Sequence, residues 1–477
     1  MAGIVSYGTY VPFWRLDRGR IGEALGTPGG RGTRAVAGFD EDTTSMGVEA
    51  GRRALAAAPD GVAPQALYFA TAEPAYLDKT NATAIHAALG LDQSAPAYDM
   101  AGSVRSGSGA LRAAADAAAN GRPTLAVLSD IRTGLAGSAD ESGGGDAAAA
   151  FLFGPGPVLL ETLAGASSTG EFLDRWRLPG DPASKGWEER FGEHAYVPLA
   201  EAAVTDAFKQ AGIAPDAIDH LIVCGVHPRA GRRVAASVGA RPEALADDLT
   251  AVIGNPGTAQ AGVLLADVLD RAEPGQVIVL VTLADGAEVG VFRTTAELAA
   301  HRRQQASTVR EQIEAGRGDL PYATFLTWRG QLHRDPPRRP DPDRPAAPPS
   351  LRHEGWKYGF VGSRCTACGT RHLPPNRVCV KCQAVDQMVP ERLADVPATI
   401  ATFTVDRLAF SLSPPVVAAV IDFDGGGRFN CELTDVDPGA VAIGDRVQMT
   451  FRRLFTAEGV HNYFWKAKPL QVREETR

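Results

Sequence analysis

Over roughly the first 298 positions, short unbroken apolar runs alternate with Ala-rich stretches. Ala66 to Thr71, Thr124 to Ser129, His220 to Val226 and Gln276 to Leu283 read as strands. Because polar residues do not alternate within these runs, both faces of each strand are expected to be covered. Thr44 to Ala57, Ala110 to Ala119, Leu199 to Ala211 and Ala259 to Arg271 read as the helices that cover them. The alternation predicts an α/β domain with mostly parallel sheets. Runs of small residues, such as Gly143-Gly144-Gly145 and Ala147 to Ala150, permit the close layer packing that a five-layer α/β/α/β/α fold needs.

The pattern then changes. Ala299 to Gly318 is polar and helix-prone, and Pro336 to Pro349 carries seven prolines among Arg and Asp, which reads as an extended linker. A new unit begins near Gly355. Beyond it Ala398 to Val405, Pro415 to Asp422, Arg446 to Leu454 and Tyr463 to Val472 read as strands, separated by turn signals such as Asp424-Gly425-Gly426-Gly427. That pattern predicts a small antiparallel barrel.

Length and charge narrow the function. A chain of 477 residues suggests about three domain-sized units. A net charge of -8 argues against nucleic acid as a partner. Basic residues do cluster at Arg229, Arg232 and Arg233, which suits a small anionic ligand. The first residues lack the pattern of a signal peptide, and the longest apolar runs, such as Val277 to Leu283, are strand-length. A cytoplasmic protein with no membrane partner is expected, and clustered cysteines then point to metal.

Cys365-Thr-Ala-Cys368 and Cys379-Val-Lys-Cys382 are two Cys-x-x-Cys knuckles separated by ten residues. Four thiolates at this spacing surround one tetrahedral zinc, and a closed four-cysteine site is structural because no position is left for water. Cys224 and Cys431 lie inside apparent strands and read as core thiols. The stretch FVGSRCTACGTRHLPPNRVCVKC, followed by the β-rich tail, resembles the DUF35-type proteins, a rubredoxin-like zinc ribbon joined to an OB-fold, that accompany acyl-CoA thiolases and related aldolases. The resemblance implies a module that helps seat a CoA thioester. It sets the expected division at 1–330 for the catalytic domain, 331–352 for the linker, 353–390 for the zinc ribbon and 391–477 for the OB-fold.

The stretches GIVSYGTYVPFWRL, FDEDTTSMGVEAGRRAL, HPRAGRRVAASVG, GNPGTAQAGVLLADVLDRAEPGQ and DLPYATFLTWRGQL resemble the hydroxymethylglutaryl-CoA synthase branch of the thiolase superfamily. The resemblance implies an acyl-CoA substrate, a homodimer and a site built from Glu73 as general acid/base with His227 and Asn255 stabilising an enolate or oxyanion. It also places Arg229, Arg232 and Arg233 toward CoA. The nucleophilic cysteine of such enzymes, at the start of a buried helix, falls here on Val104 in YDMAGSVRSGSGAL, with Ser103 beside it and Ser106 and Ser108 following. Three readings stay open: a non-covalent aldol, retro-aldol or condensing reaction on a β-hydroxyacyl- or β-ketoacyl-CoA, in which Tyr76 or Tyr196 is a further candidate for proton transfer; an acyltransferase in which Ser103 or another group replaces cysteine; and a non-catalytic thiolase-like scaffold.

Overall fold

A computed structural model describes residues 2–338, 340 and 342–470. Gln471 and Val472, the end of the last expected strand, lie outside the described residues, as do the rest of the C-terminal tail and Arg339 and Asp341 in the expected linker.

The N-terminal part is organised by one nine-stranded sheet, in the order His220–Gly225, Val277–Leu283, Gly286–Thr294, Leu160–Thr169, Ala2–Tyr10, Asp146–Pro155, Thr124–Ile131, Ala66–Thr71, Ala97–Ala101. Its two halves meet at a single pairing, Ile4 opposite Leu160. Between the halves lie helices Arg105–Ala119 and Gln260–Leu269. The first turns Gly107, Ala110, Ala114 and Ala118 inward, and the second is buried at every residue, as a helix between two sheets must be. Thr43–Ala56 and Ala82–Leu89 cover one outer face, and Glu189–Ala211 and Pro228–Ser237 cover the other. Five layers result.

One expectation is corrected. The sheet is mixed, because only Ala66–Thr71 with its two neighbours and His220–Gly225 with Val277–Leu283 pair in parallel. A tight turn at Asp285 and an antiparallel central strand, Ala2–Tyr10, supply the rest. Ala147 to Ala150 is also more than packing material: it forms the middle of the buried strand Asp146–Pro155.

The C-terminal part holds a three-stranded sheet, Arg371–His372, Val361–Cys365 and Met388–Arg392, followed by a closed five-stranded barrel. The barrel strands are Ala398–Asp406, Val416–Phe423, Arg428–Leu433, Arg446–Ala457 and Val460–Pro469. Arg428–Leu433 is the strand that holds Cys431, and it meets Val460–Pro469 in parallel, so the barrel is not wholly antiparallel. The Pro-rich segment ends in a short helix, Ala347–Arg352, where extended chain was expected; prolines at its start keep their helical φ without losing a needed donor.

The barrel and the N-terminal part share one core. Trp465, Phe451 and Met449 join the cluster that includes Met46, Val48 and Ala50 of helix Thr43–Ala56. An Asp42–Ser45 capping box fixes the start of that helix and so the seam. Charges cross it: Arg452 is fully buried and reaches Glu41 at 2.7 Å, besides Asp435 of its own barrel at 2.6 Å, Lys466 reaches Asp40 at 2.9 Å, and Lys468 reaches Glu49 at 3.1 Å. Among the described residues no helix is long and apolar enough to cross a membrane.

Candidate active site

A cleft of about 560 Å³ opens where the strands Ala66–Thr71, Ala97–Ala101 and His220–Gly225 give way to loops. Ligand sites in open α/β sheets gather at such strand ends. Glu73, Ser103, Val104, Tyr196 and Val226 line it. Val104 is the N-cap of helix Arg105–Ala119, the position at which the sequence set the nucleophile. Gly102 makes the turn from strand to helix at φ +113°, a conformation side-chain-bearing residues rarely adopt. The helix therefore presents its N-terminal end to the cleft, where unpaired backbone N–H groups favour negative charge.

Glu73 is held by the loop after Ala66–Thr71. Its N–H donates to Thr71 Oγ1 at 3.0 Å, and its carbonyl accepts from Thr43 Oγ1 at 2.8 Å. Its carboxylate is ion-paired with Arg177, which also donates to the Ala72 carbonyl at 2.6 Å.

His227 and Asn255 are not among the cleft-lining residues, although both adjoin the strand end at Gly225 and Val226. His227 caps helix Pro228–Ser237, its Nδ1 accepting from the Ala230 N–H at 3.0 Å. Its ring lies against Gly192, where a Cβ would come within 2.4 Å of Nε2, and 5.8 Å from the Tyr196 ring. Asn255 Nδ2 donates to the Gly225 carbonyl at 2.8 Å while Oδ1 accepts from the Gly257 N–H at 2.9 Å. Arg229, Arg232 and Arg233 are also outside the lining; Arg229 and Arg233 pair with Glu193 at 2.6 and 3.4 Å. Tyr76 lies outside it too and faces the barrel, its hydroxyl accepting from the His461 N–H at 2.8 Å.

The cleft adds groups the sequence reading did not single out. Asp174 and Asp285 flank Tyr196, whose hydroxyl accepts from the Asp285 N–H at 3.4 Å. Burial, then the Asp174 charge, raises the Tyr196 hydroxyl above its ordinary range, so it stays protonated at neutral pH. Burial and then Asp174 also raise the Asp285 carboxyl, against Arg105. Asp285 sits at φ +47°, an uncommon backbone for a residue with a side chain. The Asp285-Gly286 turn between two apolar runs was the one available signal. Nothing local marks Asp174, which a loop brings in from outside the regular elements.

The four ribbon cysteines converge. Their Sγ atoms all lie within 4.8 Å of one another, with Cys365–Cys382 at 3.6 Å and Cys368–Cys379 at 3.5 Å. A tetrahedral zinc with bonds of about 2.3 Å sets sulfurs about 3.8 Å apart, so the set fits. Gly369, at φ +74°, makes the first knuckle turn and returns its N–H to the Cys365 carbonyl at 2.8 Å. Four thiolates leave no open position, and the metal would hold the ribbon together.

Known proteins match both parts. The family models described as ChsH2, rubredoxin-like zinc ribbon domain, and ChsH2, C-terminal OB-fold domain, match residues 357–389 and 391–452. Hydroxymethylglutaryl-CoA synthase of Aeropyrum pernix is 31% identical over 345 residues, which cover 69% of this chain and 95% of that protein. The enzyme of the same name from Caldivirga maquilingensis is 30% identical over 353 residues, covering 69% and 97%. Among solved structures, MvaS in complex with 3-hydroxy-3-methylglutaryl coenzyme A superposes with a TM-score of 0.60 at 20% identity, covering 72% of this chain and 94% of that one. 3-Oxoacyl-[acyl-carrier-protein] synthase III from Aquifex aeolicus superposes at 0.53 with 17% identity, covering 61% and 100%. These two likenesses establish the thiolase-like fold.

Proposed function

The chain belongs to the hydroxymethylglutaryl-CoA synthase family, and on that premise we propose that it makes or breaks a carbon–carbon bond in an acyl-CoA without forming an acyl-enzyme. The observation that carries this reading is Val104 at the head of the cleft helix, a side chain that cannot form a thioester. The cysteines outside the ribbon offer no substitute: burial pushes the Cys224 thiol up to about 11 and the Cys431 thiol up to about 12, and neither lines the cleft.

In the cleavage direction Glu73, once Arg177 releases it, takes the proton of the β-hydroxyl. The bond between the α and β carbons then breaks, leaving a carbonyl product, and the bonding pair passes into the thioester as an enolate. The helix N-terminus stabilises the enolate oxygen, and Tyr196 supplies the proton that completes the acyl-CoA product. His227 and Asn255 fix the Gly225–Val226 wall against which the thioester lies. Condensation is the reverse. Residues 1–330 carry this chemistry in our reading, residues 353–390 and 391–477 support it, and two copies pair along the open edge of strand Ala97–Ala101.

Ser103 also lines the cleft at the helix start, which favours a second reading, acyl transfer through its hydroxyl. Intact-protein mass after brief exposure to acetyl-CoA and acetoacetyl-CoA, with peptide mapping of residues 95–115, separates the two. The expected result is no adduct, with β-hydroxyacyl-CoA cleavage that falls about 100-fold or more in Glu73→Gln. An adduct on Ser103 establishes the second reading, and a protein with neither adduct nor cleavage is a scaffold.

A further inference from the structure

Three arginines line the cleft: Arg132, which directly follows strand Thr124–Ile131, and Arg175 and Arg177, which follow Asp174 in the chain. Two of them are matched, Arg177 by Glu73 and Arg175 by Asp140. Arg132 is not. Its nearest carboxylate among the described residues is that of Asp140, 4.0 Å away and beyond hydrogen-bonding range. Asp130, two residues earlier, is fully buried and accepts from backbone donors, the Thr258 N–H at 3.0 Å and the Ile131 N–H at 3.2 Å.

The backbone leaves a passage for this side chain. A Cβ at Gly144 would come within 2.9 Å of Arg132 Cβ, and a Cβ at Gly257 within 2.8 Å of Arg132 Cδ, so the stem runs between two segments that glycine keeps open. The side chain is 13% exposed: packing holds its stem while its charge meets the cleft. Burial, then the charge of Arg175, pulls the guanidinium below its ordinary range, against Asp130 and Asp140. Glu73 acts on the same spot, since its charge adds to the burial that raises the Asp130 carboxyl. A largely buried cation without a close anion is costly, and groups held at such a cost in a cleft are candidates for binding a ligand.

We propose that Arg132 is a catalytic residue of this cleft, its guanidinium holding the β-oxygen of the acyl group while the bond between the α and β carbons breaks or forms. The inference rests on the acyl-CoA reading above and adds to it a residue outside the set of Glu73, His227 and Asn255. In cleavage Glu73 takes the proton of the β-hydroxyl, and the charge left on that oxygen is shared with the Arg132 N–H donors. It is discharged as the oxygen becomes the carbonyl of the product and the bonding pair passes into the thioester enolate. Arg132 keeps its proton throughout.

Calorimetric binding of 3-hydroxybutyryl-CoA and butyryl-CoA to the full chain tests it, because the two thioesters differ only in the β-oxygen. Wild type is expected to bind the hydroxy compound at least about tenfold more tightly, the size of one hydrogen bond to a charged group. Arg132→Met is expected to bring the two within about twofold by weakening the hydroxy compound alone. Arg132→Lys keeps the charge and retains part of the preference, which separates recognition from damage to the fold. The preference is expected to stay level between about pH 6 and pH 8, where a guanidinium keeps its charge and a histidine loses its own. In β-hydroxyacyl-CoA cleavage, Arg132→Met should lower kcat about 100-fold, as removal of an oxyanion donor does. Equal affinity in wild type, a preference that survives Arg132→Met, or one that fades as histidine deprotonates overturns the inference and leaves the acyl-CoA reading standing. A wild-type protein that binds neither thioester overturns both.

Discussion

The cleft and the seam are both built of arginines facing carboxylates, and they differ in how much water reaches them. In the seam the Arg452 and Glu41 side chains are wholly excluded from solvent, whereas in the cleft Arg177 is 26% and Glu73 42% exposed. A buried pair that loses one member leaves a charge stranded, while an exposed pair contributes little and re-forms easily. Similar chemistry thus serves as structure in one place and as an exchangeable contact in the other.

The most severe way to break that contrast is Arg452→Ala, which strands Glu41 and Asp435. It is expected to cost about 3–5 kcal/mol, read from the denaturant midpoint at constant slope. A loss below about 1 kcal/mol would place the seam with exposed surface pairs.

Acid gives a graded version. Burial alone would raise Asp40, Glu49 and Asp395, but Lys466 and Arg452 at Asp40, Lys468 and Arg52 at Glu49, and Arg52 and Arg392 at Asp395 outweigh it and hold all three below the ordinary carboxylate range. Such groups bind more protons unfolded than folded, so the stability they contribute is present above about pH 4.5 and is lost as pH falls through the folded values. Glu41, pushed up to about 7 by burial against the Arg452 charge, runs the other way and offsets part of the loss. Thermal melting between pH 7 and pH 3 is expected to show a falling midpoint, and Glu49→Gln should flatten it.

The smallest expected effect sharpens the cleft side. Arg177→Gln frees Glu73 and should change stability by less than about 1 kcal/mol. The same substitution should alter the pH profile of turnover, because the proposed base loses its partner. A large melting shift would make this pair structural.

Much of this arrangement was legible in the sequence. The spacing of Cys365, Cys368, Cys379 and Cys382 anticipated the sulfur cluster because local chain geometry alone brings each knuckle together. Strands such as Thr124–Ile131 and Val277–Leu283 lay close to their apolar runs because burial on both faces leaves no other composition. Helix Glu189–Ala211 began ten residues before the expected Leu199, since its polar first turns follow no apolar period and Pro198 reads as a breaker. Ala147 to Ala150 formed strand where alanine favours helix, a choice made by the neighbouring strands. The grouping of Asp174, Tyr196 and Asp285 depends on three separate segments meeting, and no local pattern records that.

The buried seam also sets an order in time. Glu41 waits for Arg452 across 411 positions, and Glu49 waits for Lys468 across 419. At synthesis rates of about 5–20 residues per second, that interval is on the order of a minute at the slow end. Throughout it helix Thr43–Ala56 and the loop before it carry acids whose barrel partners have not yet been made. The N-terminal half therefore emerges before it has the means to close its own surface, and barrel strands made much later complete the fold of the first.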